Sequence, residues 1–324
     1  MKICRFTALL LTVLLLAALL SACGAPESGE EGKLRIVATV FPEYDWVRSV
    51  LGERERETEL TLLLDNGVDL HSYQPTAADI IRLSECDLFL CVGGESDEWV
   101  EDALKEATNE NMVVLNLMDV LGSAVREEEV KEGMEAEPEC GEEDGIEYDE
   151  HVWLSLRNAA VIVGAIRDAL IGLDAEHAEE YSANAAAYLE ELDALDGRYR
   201  AAVEAAPCRT LLFGDRFPFR YLTDDYGLDY YAAFVGCSAE SEASFETVTF
   251  LADKLDELDL TAVLTLEGSD GKLAETVVAA SAGKSARILT VDSMQSTTAE
   301  DIRSGATYLS IMEMNLGVFA DALG

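Results

Sequence analysis

The sequence predicts an α/β protein of two lobes, each a mostly parallel sheet flanked by helices, joined by a long rigid backbone helix. Three observations predict it. Apolar, β-branched runs alternate with amphipathic helical stretches, the signature of βαβ units and parallel sheets. That alternation occurs twice. Between the two series lies a stretch of 32 residues, 175–206, with no Pro and only Gly197 to interrupt it.

Residues 34–41, 59–64, 87–93 and 112–117 read as the strands of the first series, with helical patterns between them. The second series reads as 210–213, 229–234, 262–266 and 287–291. Residues 175–206 are rich in Ala, Glu, Leu and Tyr, with Asp174 placed to cap the start; as a helix they would span about 48 Å. Such a rod would run along the back of both lobes, where a flexible hinge would be Gly-rich. The expected division is therefore a leader at 1–22, a tether at 23–33, a first lobe at 34–173, the connector at 174–206 and a second lobe at 207–324.

The leader rests on Lys2 and Arg5, an apolar run over 6–20, and the closing Leu20-Ser21-Ala22-Cys23. The run is shorter than the roughly 20 residues of a membrane-spanning helix and ends in small residues, so it reads as a cleaved signal peptide. The tetrapeptide is similar to the lipobox of bacterial lipoproteins, which makes Cys23 the expected lipidation site. Residues 24–33, rich in Gly, Glu, Pro and Ser, read as the tether. The chain is expected at the cell membrane, lipid-anchored on its extracytoplasmic face and monomeric.

Net charge is −41, and −43 once the leader's two cations are subtracted (−41 − 2). Nucleic acid is therefore excluded as a partner, since a phosphate backbone requires clustered Lys and Arg. So much acid makes a solvated surface, and it also sets a field that concentrates cations. The acid is densest at 127–150, with thirteen acidic residues against Lys131 and with Gly133, Pro138, Gly141 and Gly145 interspersed. This composition predicts a mobile acidic loop, and it empties into Asp149-Glu150-His151. Beyond Cys4 and Cys23 the cysteines are Cys86, Cys91, Cys140, Cys208 and Cys237, without a Cys-x-x-Cys pair. Thiolate zinc clusters and thioredoxin-like redox chemistry are thus disfavoured, and most of these residues read as small buried hydrophobes.

The chain has three histidines. His177 falls in the acidic start of the connector and reads as a surface residue. His71 follows a strand and precedes a helix, and His151 sits at a loop-to-helix junction. Ligands of open α/β sheets bind outside the carboxyl ends of the strands, and imidazole is the commonest ligand for zinc and related ions. His71 and His151 are therefore candidate metal ligands.

The order of these and other segments resembles a family. The segments are Val40-Phe41-Pro42, His71-Ser72-Tyr73-Gln74-Pro75-Thr76 followed by Asp87-Leu88-Phe89, Gly93 with Glu98-Trp99-Val100, and His151-Val152-Trp153-Leu154. Tyr181-Ser182-Ala183-Asn184, Tyr226-Gly227-Leu228, Val291-Asp292-Ser293 and the stretch 308–316 follow. Over nearly the whole mature chain this resembles the zinc- and manganese-binding solute-binding lipoproteins of bacterial metal ABC importers, the ZnuA/AdcA/TroA-like family. The resemblance implies two α/β lobes on a long backbone helix with metal at the interface, and His71, His151 and Asp292 carry over as ligands. Asp292 could alternatively cap the helix that starts near Thr297 and Thr298.

The family's third ligand, a His or Glu at the first strand end of the second lobe, does not carry over. Ungapped, Arg216 takes that place, and a guanidinium has no lone pair to give. One inserted residue brings Asp215 there, which is the expected ligand, with Glu267 in reserve and Arg216 paired to a carboxylate. Glu150 and Asp69 are candidates to hold the second nitrogen of each imidazole. Two imidazoles and two carboxylates suit Zn2+ first and Mn2+ second. The resemblance implies capture of the ion between the lobes and delivery to an ABC-type metal permease with its ATPase, release following a shift of the lobes, without catalysis. The alternatives are a manganese-specific member, an adhesin-type interaction protein with a structural metal, and an extracellular zinc hydrolase with Glu150 or Glu267 as base; no His-Glu-x-x-His helix supports the last.

Overall fold

The structure is a computed structural model, and it describes residues 33–135, 147–238 and 242–324. The leader, Cys23 and Cys140 lie outside the described residues. Residues 35–324 form one compact unit. Its first half runs β1 (Arg35–Ala38), α1 (Phe41–Leu51), β2 (Glu59–Leu62), α2 (Ala77–Glu85), β3 (Leu88–Cys91), α3 (Trp99–Lys105), β4 (Val113–Asn116), α4 (Leu117–Leu121) and α5 (Leu156–Leu173). Then come α6 (Ala178–Ala205), β5 (Thr210–Phe217), α7 (Arg220–Tyr226), β6 (Asp229–Val235), α8 (Phe245–Glu257), β7 (Ala262–Leu266), α9 (Lys272–Ala280), β8 (Arg287–Val291), α10 (Ala299–Arg303) and α11 (Tyr308–Ala322).

Both sheets are four-stranded and wholly parallel, in the orders β2-β1-β3-β4 and β6-β5-β7-β8. Parallel strands need crossovers and are covered on both faces, so their inner strands are apolar throughout. Leu88, Phe89, Leu90 and Cys91 of β3 are all buried, as are all five residues of β7. In the second sheet Leu212, Phe234 and Val263 pack against Val248, Leu251, Ala274 and Val277 from α8 and α9. Among the described residues, no helix is long and apolar enough to cross a membrane.

The connector is the 28-residue α6, entered through a 3-10 turn at Ala175–His177. Tyr181, Ala185, Tyr188, Leu192, Leu195, Tyr199 and Val203 are buried along it, a three-four spacing that makes one apolar stripe. That stripe packs on α1, α5 and α11. Asn184 Nδ2 donates to Val50 O at 3.0 Å and Tyr199 OH donates to Met312 O at 2.6 Å, tying the rod to both halves. Asp174 caps no backbone amide by its side chain, contrary to expectation. Its carboxylate instead takes His177 Nδ1 at 2.8 Å and Tyr181 OH at 2.7 Å, so His177 is a half-buried partner of the helix start.

Of the expected acidic loop at 127–150, residues 136–146 lie outside the described residues. Its described flanks, 127–135 and 147–150, are anchored. Glu127 bridges Tyr148, Glu135 bridges Phe234 beside β6, and Tyr221 OH donates to Asp149 O at 2.7 Å. Glu129 pairs with Arg220 and accepts from Tyr230 OH, while Lys131 pairs with Asp229. The carboxylates of Glu129 and Glu135 thus find partners about a hundred residues away in sequence.

Candidate metal centre

His71 lies on a 3-10 turn, Leu70–Ser72, beyond the end of β2. Asp69 caps that turn, its Oδ1 accepting His71 N at 3.1 Å. The other Asp69 oxygen pairs with Arg216 of β5, so a guanidinium from the second half steadies the loop that carries His71. His151 starts the turn Val152–Leu154 that leads into α5, and Asp149 Oδ1 accepts its backbone N at 2.8 Å. Trp153 then crosses to the second half through Nε1 to Ser293 O at 2.9 Å.

These two loops bring the imidazoles together through their Nε2 edges, the ring planes inclined at 59°. His71 Nε2 and His151 Nε2 are 3.2 Å apart, with ring centroids separated by 5.2 Å. Each remaining ring nitrogen has an oxygen partner. His71 Nδ1 is 2.8 Å from Ser96 Oγ and 3.5 Å from Glu150 Oε2; His151 Nδ1 is 3.0 Å from Asp149 Oδ1. The tautomer with the proton on Nδ1 satisfies those oxygens and leaves Nε2 with its lone pair. Burial, then the neighbouring His151, depresses His71 to a pKa of about 3, so its ring is neutral at physiological pH. Burial also disfavours the charged form of His151, but the Asp149 carboxylate and its hydrogen bond outweigh it and the shift is upward.

Glu150 is buried, and burial raises its carboxyl above the usual range. Its Oε1 accepts Ser96 N at 2.9 Å, while Oε2 has no hydrogen-bond partner. Gly94, at φ +83°, makes room for it, since a Cβ there would lie 2.4 Å from Oε1.

The second half contributes a residue that sequence reasoning passed over. Among the described residues, one set of three potential ligand atoms lies within 4.8 Å of one another, and it comprises His71, His151 and Cys237. Cys237 follows β6 by two residues, at the carboxyl end of a parallel strand. The argument that singled out His71 applies equally there and would have found it.

Neither Asp215 nor Asp292 belongs to that set. Asp215 sits in a bulge of β5: Phe213 faces Ala232 and Arg216 faces Phe234, so two residues oppose one. Asp215 Oδ1 accepts Arg216 N at 2.9 Å and Oδ2 accepts Leu266 N at 3.2 Å. Asp292 Oδ1 accepts Met294 N at 2.7 Å, its own N donates to Asn315 Oδ1 at 2.9 Å, and burial raises its carboxyl. The expected cap role near Thr298 is filled by Thr298 itself, in a capping box with Asp301. Glu267 holds the loop after β8, accepting Ser293 N at 2.7 Å and Ser293 Oγ at 2.6 Å. Burial, then Asp292, raises its carboxyl to about 7.

With this geometry in view, the likeness to known proteins is specific. Residues 36–322 match the family described as zinc-uptake complex component A, periplasmic (ZnuA). The zinc-binding lipoprotein AdcA of Streptococcus pneumoniae is 31% identical over 95% of this chain and 59% of its own length. The chain thus spans little more than half of the AdcA relatives it matches. The manganese-binding lipoprotein MntA of Halalkalibacterium halodurans is 29% identical over 99% of both chains. Among solved structures, the zinc-bound ZnuA-like domain of Streptococcus pneumoniae AdcA superposes with a TM-score of 0.70 at 28% identity, covering 90% of this chain and 99% of that one. The chain belongs to the ZnuA family of zinc-uptake complex components.

Proposed function

We propose that the protein is an extracytoplasmic solute-binding protein that captures a transition-metal ion, zinc ahead of manganese, on His71 and His151 between its lobes and delivers it to an ABC permease. The observation that carries this reading is the 3.2 Å separation of the two Nε2 atoms, each on a ring whose Nδ1 faces an oxygen. Two nitrogens on one tetrahedral zinc at 2.0–2.1 Å stand about 3.3–3.4 Å apart, so the pair is already spaced to share an ion. Outer oxygen partners that fix the tautomer are the normal support of metal-binding imidazoles. The zinc-binding AdcA relatives support zinc, and the full-length match to a manganese-binding lipoprotein keeps manganese as the second reading. Asp292 is the carboxylate that the resemblance adds to the shell, and Asp215 is the carboxylate candidate for the third place, against which the thiol below is weighed. Relatives named lipoproteins support attachment through Cys23. No catalysis is proposed.

The test is elemental analysis of the full chain purified in detergent, which should carry one zinc or manganese per molecule. An His71→Ala, His151→Ala double variant should carry none, and one that kept a full equivalent of metal would refute the site.

A further inference from the structure

We infer that the thiol of Cys237 is the third ligand of this centre, giving a two-imidazole, one-thiolate donor set that favours zinc and similar thiophilic divalent ions over manganese. This rests on the reading that His71 and His151 hold the ion, and goes beyond it in naming the residue that sets selectivity.

Several independent features converge on the sulfur. Cys237 is a free thiol whose Sγ lies within 4.8 Å of a nitrogen on each imidazole. On one tetrahedral zinc, with Zn–S about 2.3 Å, sulfur and nitrogen stand about 3.5–3.6 Å apart, a short side-chain adjustment away. The turn bearing the thiol is pressed onto the His151 ring. A Cβ on Gly236 would lie 2.9 Å from Phe217 O, 3.0 Å from His151 Cε1 and 3.1 Å from His151 Nδ1, so any larger residue would push the turn off the ring. Cys237 N donates to Glu128 Oε1 at 3.3 Å, which fastens the same turn to the anchored acidic segment. Beside the centre, Glu150 Oε2 is buried without a hydrogen-bond partner.

The alternatives on the second half are otherwise engaged. Arg216 occupies the place where the family resemblance puts a ligand, and it is paired to Asp69. Both Asp215 oxygens accept backbone amides. Cys86 and Cys91, the cysteines that do behave as small hydrophobes, are buried and belong to no such ligand set among the described residues. Chemically, soft thiolate selects zinc, whereas manganese prefers carboxylate, carbonyl and water. Binding is balanced by loss of the thiol proton: the Cys237 S–H bond breaks, sulfur's electron pair goes to the ion, and one proton leaves to solvent.

The experiment is cobalt(II) substitution of the full chain in detergent. The protein should show visible d–d bands together with a near-ultraviolet thiolate-to-cobalt charge-transfer band. Cys237→Ser should keep the d–d bands and lose the charge-transfer band, with zinc affinity falling on the order of ten-fold or more and manganese affinity unchanged. Gly236→Ala, which keeps the thiol but displaces the turn, should weaken the same band. Should Cys237→Ser not fold, alkylation of the unmodified protein decides: zinc should protect Cys237 from iodoacetamide while manganese does not, with Cys208 as the unprotected control. Cobalt d–d bands without a charge-transfer band, or alkylation unaffected by zinc, would overturn the thiolate while leaving capture by the imidazoles intact. No cobalt uptake at all would overturn both.

Discussion

Asp149 is the residue on which the geometry of the centre can be tested most sharply. Its Oδ1 accepts two N–H groups of one residue, the His151 backbone N at 2.8 Å and ring Nδ1 at 3.0 Å, and it is 2% exposed. A bond to a charged acceptor contributes about 1.5–3 kcal/mol and a neutral one about 0.5–1.5 kcal/mol. Asp149→Asn keeps an acceptor oxygen but loses the charge, so about 1 kcal/mol of ring positioning is lost, or about five-fold in metal affinity. Asp149→Ala removes the acceptor altogether, and the loss should reach about 10- to 100-fold, or about 1.4–2.8 kcal/mol. The assay is zinc competition against a chromophoric chelator, with urea unfolding of the metal-free proteins to show that the fold is kept. Graded losses in the order Asn then Ala are expected. Equal affinity in all three proteins would refute the claim that Asp149 orients His151.

Three further outcomes follow from the same structure. Ser96→Ala removes the 2.8 Å partner of His71 Nδ1 and should weaken zinc binding about five-fold in the same competition assay, without changing the unfolding midpoint. Tyr308→Phe deletes a buried donor to Trp153 O at 2.7 Å and should cost about 1–2 kcal/mol in urea unfolding. Glu43 is fully buried, and burial, then the charge of Asp97, raises its carboxyl from 4.5 to about 8. A raised carboxyl means that the folded state holds the proton to higher pH than the unfolded chain. Its contribution is therefore fully present below pH about 4.5 and is lost as pH rises through about 8. Glu43→Gln should flatten the fall in unfolding midpoint between pH 5 and 9 relative to the parent; identical slopes would contradict the shift.

The parts of this molecule legible in the sequence are those set by local pattern. The inner strands such as β3 and β7 could be read because buried parallel strands are continuous apolar runs, the more exposed β2, β4 and β8 as short apolar or β-branched runs between helical patterns, and the connector because 32 residues run without Pro and with one Gly. The expected end of the fifth strand fell short, since Gly214 and Asp215 break the apolar run where the bulge lies and the strand resumes to Phe217. That His71 and His151 meet was legible from their scarcity and their junction positions. Cys237 was passed over because a cysteine among hydrophobes has no polar signature, and only its place after a strand end marks it. The anchoring of 127–135 was illegible, because composition counts like charges but cannot see Arg220, Tyr230 or Thr247 arriving from a hundred residues away.

The rod α6 has a kinetic consequence. With its two ends tied to different halves and its stripe buried along the whole length, it has no short run of residues able to absorb the φ/ψ change of a wide hinge. On the proposed capture reading, exchange of the ion falls to the short loops that carry His71 and His151, and not to the shift of the lobes that the resemblance implies. Loaded and empty protein should accordingly have nearly the same radius of gyration in small-angle scattering, and the off-rate should respond to substitutions at the loops long before it responds to solvent viscosity.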